Sequence, residues 1–183
     1  MTEAAVAVFG SSQTLPGSSE WVDAENIGAR LGQAGIAVIT GGYGGTMEAV
    51  SKGASETGGR AIGIIAPSLF PGRSGANPYV TDLIESRSLT DRIGKMVDIG
   101  QGAIALPGSI GTATELLVAW NLNHIARRNG GSHFPTVAVG EEWGEVATSL
   151  GSQVDAHIGD IHFESTAELA VDWMMHELKI PRF

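Results

Sequence analysis

Two stretches of the chain place glycines, a hydroxyl and a carboxylate where chemistry on an anion is feasible. The first is LPGSIGTATELL, Leu106 to Leu117, which runs from apolar residues through a Gly- and Ser-rich turn into a helical pattern holding Glu115. The second is GGYGGTMEAV, Gly41 to Val50, which also leads from an apolar run into a helical pattern. Glycines let backbone N–H groups turn toward an anion with no Cβ in the way, and a helix N-terminus adds partial positive charge. Thr112 offers its hydroxyl as a further donor. Either loop alone can also be read as a tight turn that needs glycine for its backbone. Two of them on one edge of a fold favour a small ligand bearing phosphate. Neither is a common nucleotide fingerprint. From Gly42, G-x-G-x-x-G would need glycine where Met47 stands, and no G-x-x-x-x-G-K-[ST] occurs.

Glu115 has two readings. Thr112-x-x-Glu115 has the spacing of a capping box, in which the glutamate returns to the backbone N–H of the N-cap. Alternatively, a carboxylate beside an anion loop can stabilise growing positive charge or orient and deprotonate water. Arg92 is open in the same way. It can be a solvated arginine paired with Asp91 or Asp98, or a cation rising at the same edge as Glu115.

The elements that must position these groups follow from hydrophobic spacing. Short apolar runs at Ala4–Phe9, Ile36–Thr40, Ala61–Ile65, Asp82–Glu85, Ala103–Leu106, Thr136–Val139 and Asp160–Phe163 predict strands. Several are apolar throughout, as strands buried on both faces of a parallel sheet are. Helices are predicted near Ser19–Gln33, Thr46–Thr57, Leu89–Gly100, Thr112–Arg127, Glu142–Leu150 and Thr166–Leu178. Ala113, Leu116, Leu117 and Trp120 follow the spacing of a buried stripe, as do Leu89, Ile93, Met96 and Val97. Alternating strands and helices imply right-handed crossovers and a three-layer α/β/α sandwich on a mostly parallel sheet. The loops leaving the carboxyl ends of such strands form the ligand crevice. That edge would gather Gly10-Ser11-Ser12, Gly41–Thr46, the start of the Leu89–Gly100 helix and Gly108–Thr112.

Composition narrows the partners. The 183 residues suit one domain, 1–183, and 43% are hydrophobic, ample for a packed core. The net charge of −9 argues against a nucleic-acid surface, which needs clustered Lys and Arg. Cysteine is absent, so thiolate chemistry and disulfides are excluded and the cytoplasm is the expected compartment. No apolar run reaches the roughly 20 residues that span a bilayer, and MTEAAVAVFGSS has no basic segment before its short apolar run, so neither membrane nor signal peptide is expected. Asp155, His157, Asp160 and His162 read as a polar loop entering the last strand rather than a metal site, and His124, His133 and His176 lack companions at ligand spacing. Trp21, Trp120, Trp143 and Trp173 read as core or interface residues.

The residues also match a known family. PGSIGTATE, Pro107 to Glu115, resembles the P-G-G-x-G-T-x-x-E motif of the Lonely Guy phosphoribohydrolases, a group often labelled "possible lysine decarboxylase". GGYGGTMEAVSKGA, Gly41 to Ala54, is similar to the family's other glycine motif, and VFGSS, Val8 to Ser12, to its first strand and loop. The resemblance runs from about residue 4 to 140. It implies a Rossmann-like sheet in a homodimer that cleaves nucleoside 5′-monophosphates, AMP or N6-modified cytokinin nucleotides, to free base and ribose 5-phosphate. It implies Arg92 and Glu115 as catalytic residues. With the anion loops, it points to Gly108, Ser109, Ile110, Gly111, Thr112, Gly42, Gly44, Gly45, Thr46 and Ser11 as substrate-binding, with no metal and no cofactor. The alternative is a carrier of the same fold that binds a nucleotide or the pterin molybdenum cofactor without hydrolysis. A decarboxylase would need pyridoxal phosphate on a lysine, and Lys52, Lys95 and Lys179 all fall in predicted helices rather than sheet-edge loops. Three positions depart from the family pattern. Ser109 replaces the second glycine of P-G-G, Ile93 stands where a lysine often follows the arginine, and Pro67–Asn77 does not match the family's substrate-contacting insert. The first keeps a backbone N–H; the other two leave base recognition open.

Overall fold

The computed structural model describes residues 4–73 and 75–179. Its elements are, in order, β1 (Ala5–Phe9), α1 (Ser19–Gln33), β2 (Ala37–Thr40), α2 (Thr46–Glu56), β3 (Ala61–Ile65), β4 (Asp82–Glu85), α3 (Leu89–Ile99), β5 (Gly102–Ala105), α4 (Ile110–Asn129), β6 (Thr136–Val139), α5 (Glu141–Val154), β7 (His162–Glu164) and α6 (Ala167–Glu177). The seven strands form one sheet in the order β4-β3-β2-β1-β5-β6-β7, and every neighbouring pair is parallel. This is the expected Rossmann-like three-layer sandwich, with a sheet that is parallel throughout.

Period-two alternation along the strands makes two cores. Val6 and Val8 of β1 join Ile27 and Leu31 of α1, Val50 of α2 and Met174 of α6 on one face. Ala5, Ala7 and Phe9 face Met96 of α3, Leu116 and Trp120 of α4 and Trp143 of α5 on the other. Helices α1 and α2 approach so closely that a Cβ on Gly28 would stand 2.0 Å from the Val50 carbonyl oxygen, and one on Gly53 would stand 2.0 Å from that of Glu25. The strand order reverses direction between β1 and β5, and the loops after these two strands open a crevice there.

Several expectations are corrected in detail. The predicted strand Asp160–Phe163 is instead a 3-10 turn over Ile158–Asp160 followed by β7. Its Asp160 is buried and accepts from Arg127 Nε at 2.9 Å, while His162 stacks on Trp173. Among the described residues no three His, Asp or Glu side chains are grouped to hold a metal ion. In α3 the buried residues are Arg92, Ile93 and Met96, and Leu89 is exposed. In α4, Leu116 and Trp120 are committed to the monomer's own core, whereas Leu117 is 40% exposed. Lys179 lies beyond the end of α6, with φ of 56°. No helix of the described residues is long and apolar enough to cross a membrane.

Candidate active site

Helix α4 begins earlier than its sequence spacing predicts. Its N-cap is Ser109 and its first residue Ile110, so Thr112 sits in the first turn and Glu115 in the second. That register removes the capping-box reading, because Glu115 lies too far along the helix to return to the N-cap. No side chain caps this end: Ser109 makes no cap hydrogen bond. The backbone N–H groups of Ile110, Gly111 and Thr112 therefore form an open anion-binding end.

The Thr112 hydroxyl adds to it. Thr112 is 2% exposed, and its Oγ1 is a buried polar atom with no hydrogen-bond partner among the described residues. A buried hydroxyl left unpaired costs about 1–3 kcal/mol. Gly108 folds against this hydroxyl, where a Cβ would come within 2.1 Å of it.

Glu115 turns inward from α4 and meets Arg92 of α3. Arg92 Nη1 donates to Glu115 Oε1 at 3.3 Å, with both side chains buried. Arg92 Nε donates to the Ile64 carbonyl at 2.7 Å, which anchors the guanidinium to the end of β3. Asp91, the alternative partner for Arg92, is engaged by Lys95 and the Arg87 N–H. Glycine at position 41 leaves room for this guanidinium, since a Cβ there would stand 1.6 Å from Arg92 Nη2. Burial pushes the Glu115 carboxyl up to about 7, and the Arg92 charge only partly opposes it. Burial pushes Arg92 down from the usual arginine range, against the pull of Glu115. Two ionisable groups are thus held in contact at the crevice in an environment that disfavours both charges.

The second glycine loop has another job. Thr46 directs both its backbone N–H and its hydroxyl to the Ser11 carbonyl, at 2.9 and 3.0 Å. The Gly42 N–H donates to Thr40 Oγ1 and its carbonyl accepts from the Asn77 N–H. Gly42 and Gly45 take φ of 72° and 73°, and a Cβ on Gly45 would press on the Ser11 carbonyl oxygen at 2.3 Å. These residues clamp the loop after β2 to the loop after β1. Of the expected binding residues in this stretch, Gly44 faces a cleft, while the donors of Gly42 and Thr46 are already taken. Ser11 likewise serves as the clamp's acceptor, and its neighbour Ser12 faces the site.

A cavity of about 180 Å³ is lined by Arg92, Glu115, Ser109, Gly111 and Thr112, and closed by Met47, Phe70, Ser12 and Arg73. A cleft of about 450 Å³ adjoins it, lined by Tyr43, Gly44, Glu48 and Asn77, with Ser12 and Arg73 common to both. Sequence reasoning set Ser12 at this edge without giving it a binding role, and missed Phe70 and Arg73. The last two sit in the Pro67–Asn77 stretch, which carries no periodicity and matches no motif.

Known proteins resemble the chain both in sequence and in fold. The chain is 35% identical over 106 residues to the pyrimidine/purine nucleotide 5′-monophosphate nucleosidase of Escherichia coli K12, covering 54% of this chain and 23% of that protein. It is 30% identical over 119 residues to the cytokinin riboside 5′-monophosphate phosphoribohydrolase of Mycobacterium marinum, covering 64% of this chain and 60% of that protein. The chain therefore spans between about a quarter and three fifths of the length of these curated relatives. Among solved structures, the molybdenum cofactor binding protein of Rippkaea orientalis superposes with a TM-score of 0.75 at 21% identity, covering 97% of this chain and 99% of that one. The molybdenum cofactor carrier protein of Chlamydomonas reinhardtii superposes with a TM-score of 0.68 at 20% identity, over 97% and 99% of the two chains. Likeness at this identity is likeness of fold. Residues 3–127, which hold both glycine loops, Arg92 and Glu115, match the profile of the SLOG cluster4 family, and the chain belongs to that family.

Proposed function

We propose that this protein is a nucleoside 5′-monophosphate phosphoribohydrolase, which cleaves the N-glycosidic bond of AMP or an N6-modified AMP to give free base and ribose 5-phosphate. The observation that carries the reading is the buried Arg92–Glu115 pair, set in the same small cavity as the uncapped N-terminus of α4 and its unpaired Thr112 hydroxyl. The names of the sequence relatives support it.

The 5′-phosphate is held by the N–H groups of Ile110, Gly111 and Thr112 and by the Thr112 hydroxyl. Gly108 and Ser109 shape the turn. Gly42, Gly45, Thr46 and Ser11 brace the opposite wall, and Gly44 lines the cleft. Ligand pockets usually hold roughly 300–1,000 Å³. The cavity of about 180 Å³ thus takes the phosphoribosyl part, and the adjoining cleft of about 450 Å³ takes the base. The C1′–N bond breaks with its electron pair leaving on the base, and the ribosyl carbon gains positive charge as in glycoside hydrolysis. Ionised Glu115 stabilises that charge and orients a water, whose oxygen bonds to C1′ while its proton passes to the departing base. Arg92 favours the ionised form of Glu115 against the effect of burial, and aims the carboxylate. No metal or cofactor takes part. The protein acts in the cytoplasm as a homodimer, a reading supported by the composition and by the exposed apolar side chains of α4.

The deciding experiment incubates the protein with a panel of nucleoside monophosphates and the corresponding nucleosides, and follows free base by chromatography. Cleavage of AMP or an N6-modified AMP, much faster than of the matching nucleoside, is the expected result. Equal rates on adenosine and AMP would remove the phosphate cradle from the argument. Tight binding with no base released would identify a carrier, for which the anion loops suffice and Glu115 is not needed.

A further inference from the structure

Arg73 is a cation at the mouth of the site that no motif accounts for. It lies in the connection between β3 and β4, on the boundary shared by the small cavity and the larger cleft. Its guanidinium stands 4.6 Å from the ring centre of Tyr43 and 4.5 Å from that of Phe70. Those rings meet edge to face at 5.4 Å. The platform beneath is firm: the buried Tyr43 hydroxyl accepts the Ala66 N–H at 2.9 Å, and its carbonyl accepts Asn77 Nδ2 at 3.0 Å.

What the Arg73 guanidinium lacks among the described residues is a counter-charge. Its only hydrogen bond among the described residues is a long one, Nη2 to Ser12 Oγ at 3.4 Å, and no carboxylate of those residues pairs with it. It is near enough to Arg92 for its charge to help push Arg92 down. Two arginines therefore share a cavity with one carboxylate, Glu115, in a chain whose net charge is −9. Arg92 is already committed, through Nε to the Ile64 carbonyl and through Nη1 to Glu115. Arg73 keeps most of its five N–H donors free, and it lines the same cavity as Ser109, Gly111 and Thr112.

We propose that Arg73 is the anion clamp of this site: its guanidinium, seated on Tyr43 and Phe70, grips the 5′-phosphate from the side opposite the first turn of α4. This rests on the phosphoribohydrolase reading for the identity of the ligand, but not on turnover. A planar fork suits a phosphate, and stacking on two rings pre-orders it so that little freedom is lost on binding. The clamp explains selectivity for nucleotides over nucleosides by a residue outside the family's motifs.

The test measures binding of ribose 5-phosphate, AMP and adenosine by calorimetry to the wild type, Arg73→Ala, Arg73→Lys and Arg128→Ala. Arg128 lies at the far end of α4 and controls for loss of one positive charge. Charge-assisted hydrogen bonds of this kind are worth about a ten- to hundred-fold change in affinity. Arg73→Ala should weaken ribose 5-phosphate and AMP by that factor and leave adenosine within about twofold. Arg73→Lys should fall between, having charge without the fork, and Arg128→Ala should match the wild type. Unchanged melting of the ligand-free Arg73 variants would confirm that the fold is intact. Wild-type affinity for ribose 5-phosphate in Arg73→Ala would overturn the clamp, as would equal loss of AMP and adenosine, which would make Arg73 part of a base platform. A wild type that binds AMP, loses it in Arg73→Ala and releases no base would overturn the hydrolase and leave the clamp standing. A wild type that binds none of the phosphates would overturn both.

Discussion

Arg92 Nη1 and Glu115 Oε1 lie 3.3 Å apart across the gap between α3 and α4, with side chains only 7% and 10% exposed. A buried pair of this kind contributes little net stability, because desolvation of both charges offsets their attraction. The pair fits the proposed chemistry, which needs a carboxylate held in place at the cavity.

Glu115→Gln separates charge from shape. The amide keeps the size of the side chain and can still accept from Arg92, so the variant should fold and bind AMP. Loss of a preorganised charge typically costs on the order of 10²–10³ in rate. Arg92→Ala should also be severely impaired, with more loss of binding if Arg92 touches phosphate. Steady-state rates beside calorimetric affinity for AMP check this, and normal turnover by Glu115→Gln would end the catalytic assignment.

The pH dependence has a definite sign. Burial raises the Glu115 carboxyl to about 7 in the folded protein, above its ordinary value of 4.5. The folded state therefore binds the proton more tightly than the unfolded state. Stability from this group is full below about pH 4.5 and is lost as pH climbs to about 7, by roughly 3 kcal/mol. Glu115→Gln has no such loss, so denaturant melts should show its stability gaining on the wild type between these values and levelling above. If ionised Glu115 drives cleavage, kcat/KM should rise through about pH 7 to a plateau. An activity that falls across this range would instead make Glu115 a proton donor.

Thr112→Val tests the unpaired hydroxyl. Valine has nearly the same shape and removes a buried polar group without a partner. The ligand-free variant should be more stable by about 1 kcal/mol, while AMP binds roughly tenfold more weakly. Thermal melts with and without AMP would show the order of the two proteins reversing. A variant identical to the wild type in both states would show that the hydroxyl serves neither.

Assembly should depend on the outer face of α4. Ile110 is 82% exposed, Ile125 46% and Leu117 40%, while Leu116 and Trp120 point into the core. By light scattering at micromolar concentration the wild type should be dimeric and the double variant Leu117→Glu, Ile125→Glu monomeric. A wild type that is monomeric and fully active would refute the dimer.

The sequence alone determined the sheet, because its information is local and periodic. Short, fully apolar runs such as AVAVF in β1 and AIGII in β3, bounded by turn residues, read as strands buried on both faces, and the helices between them follow from apolar spacing. The glycine loops and Glu115 stood out for a related reason, unusual residue types at short, fixed spacing, whereas Arg92 was singled out by the family resemblance. Tertiary structure decided what these residues touch. The start of α4 is one case. Gly111 and the Thr112-x-x-Glu115 spacing favour a later start on local grounds, yet in the folded chain the helix begins at the exposed Ile110, and Glu115, out of capping range, meets Arg92 of α3 instead. Thr46 is another, since its donors go to a carbonyl 35 residues away, on the loop after β1. Arg73 is the clearest. Nothing in PSLFPGRSGAN marks one arginine, and only the return of that connection over Tyr43 sets it beside Glu115 and the end of α4. Contacts between residues far apart in the chain leave no periodic trace, so they become visible only when the crossovers bring the strand ends to one edge.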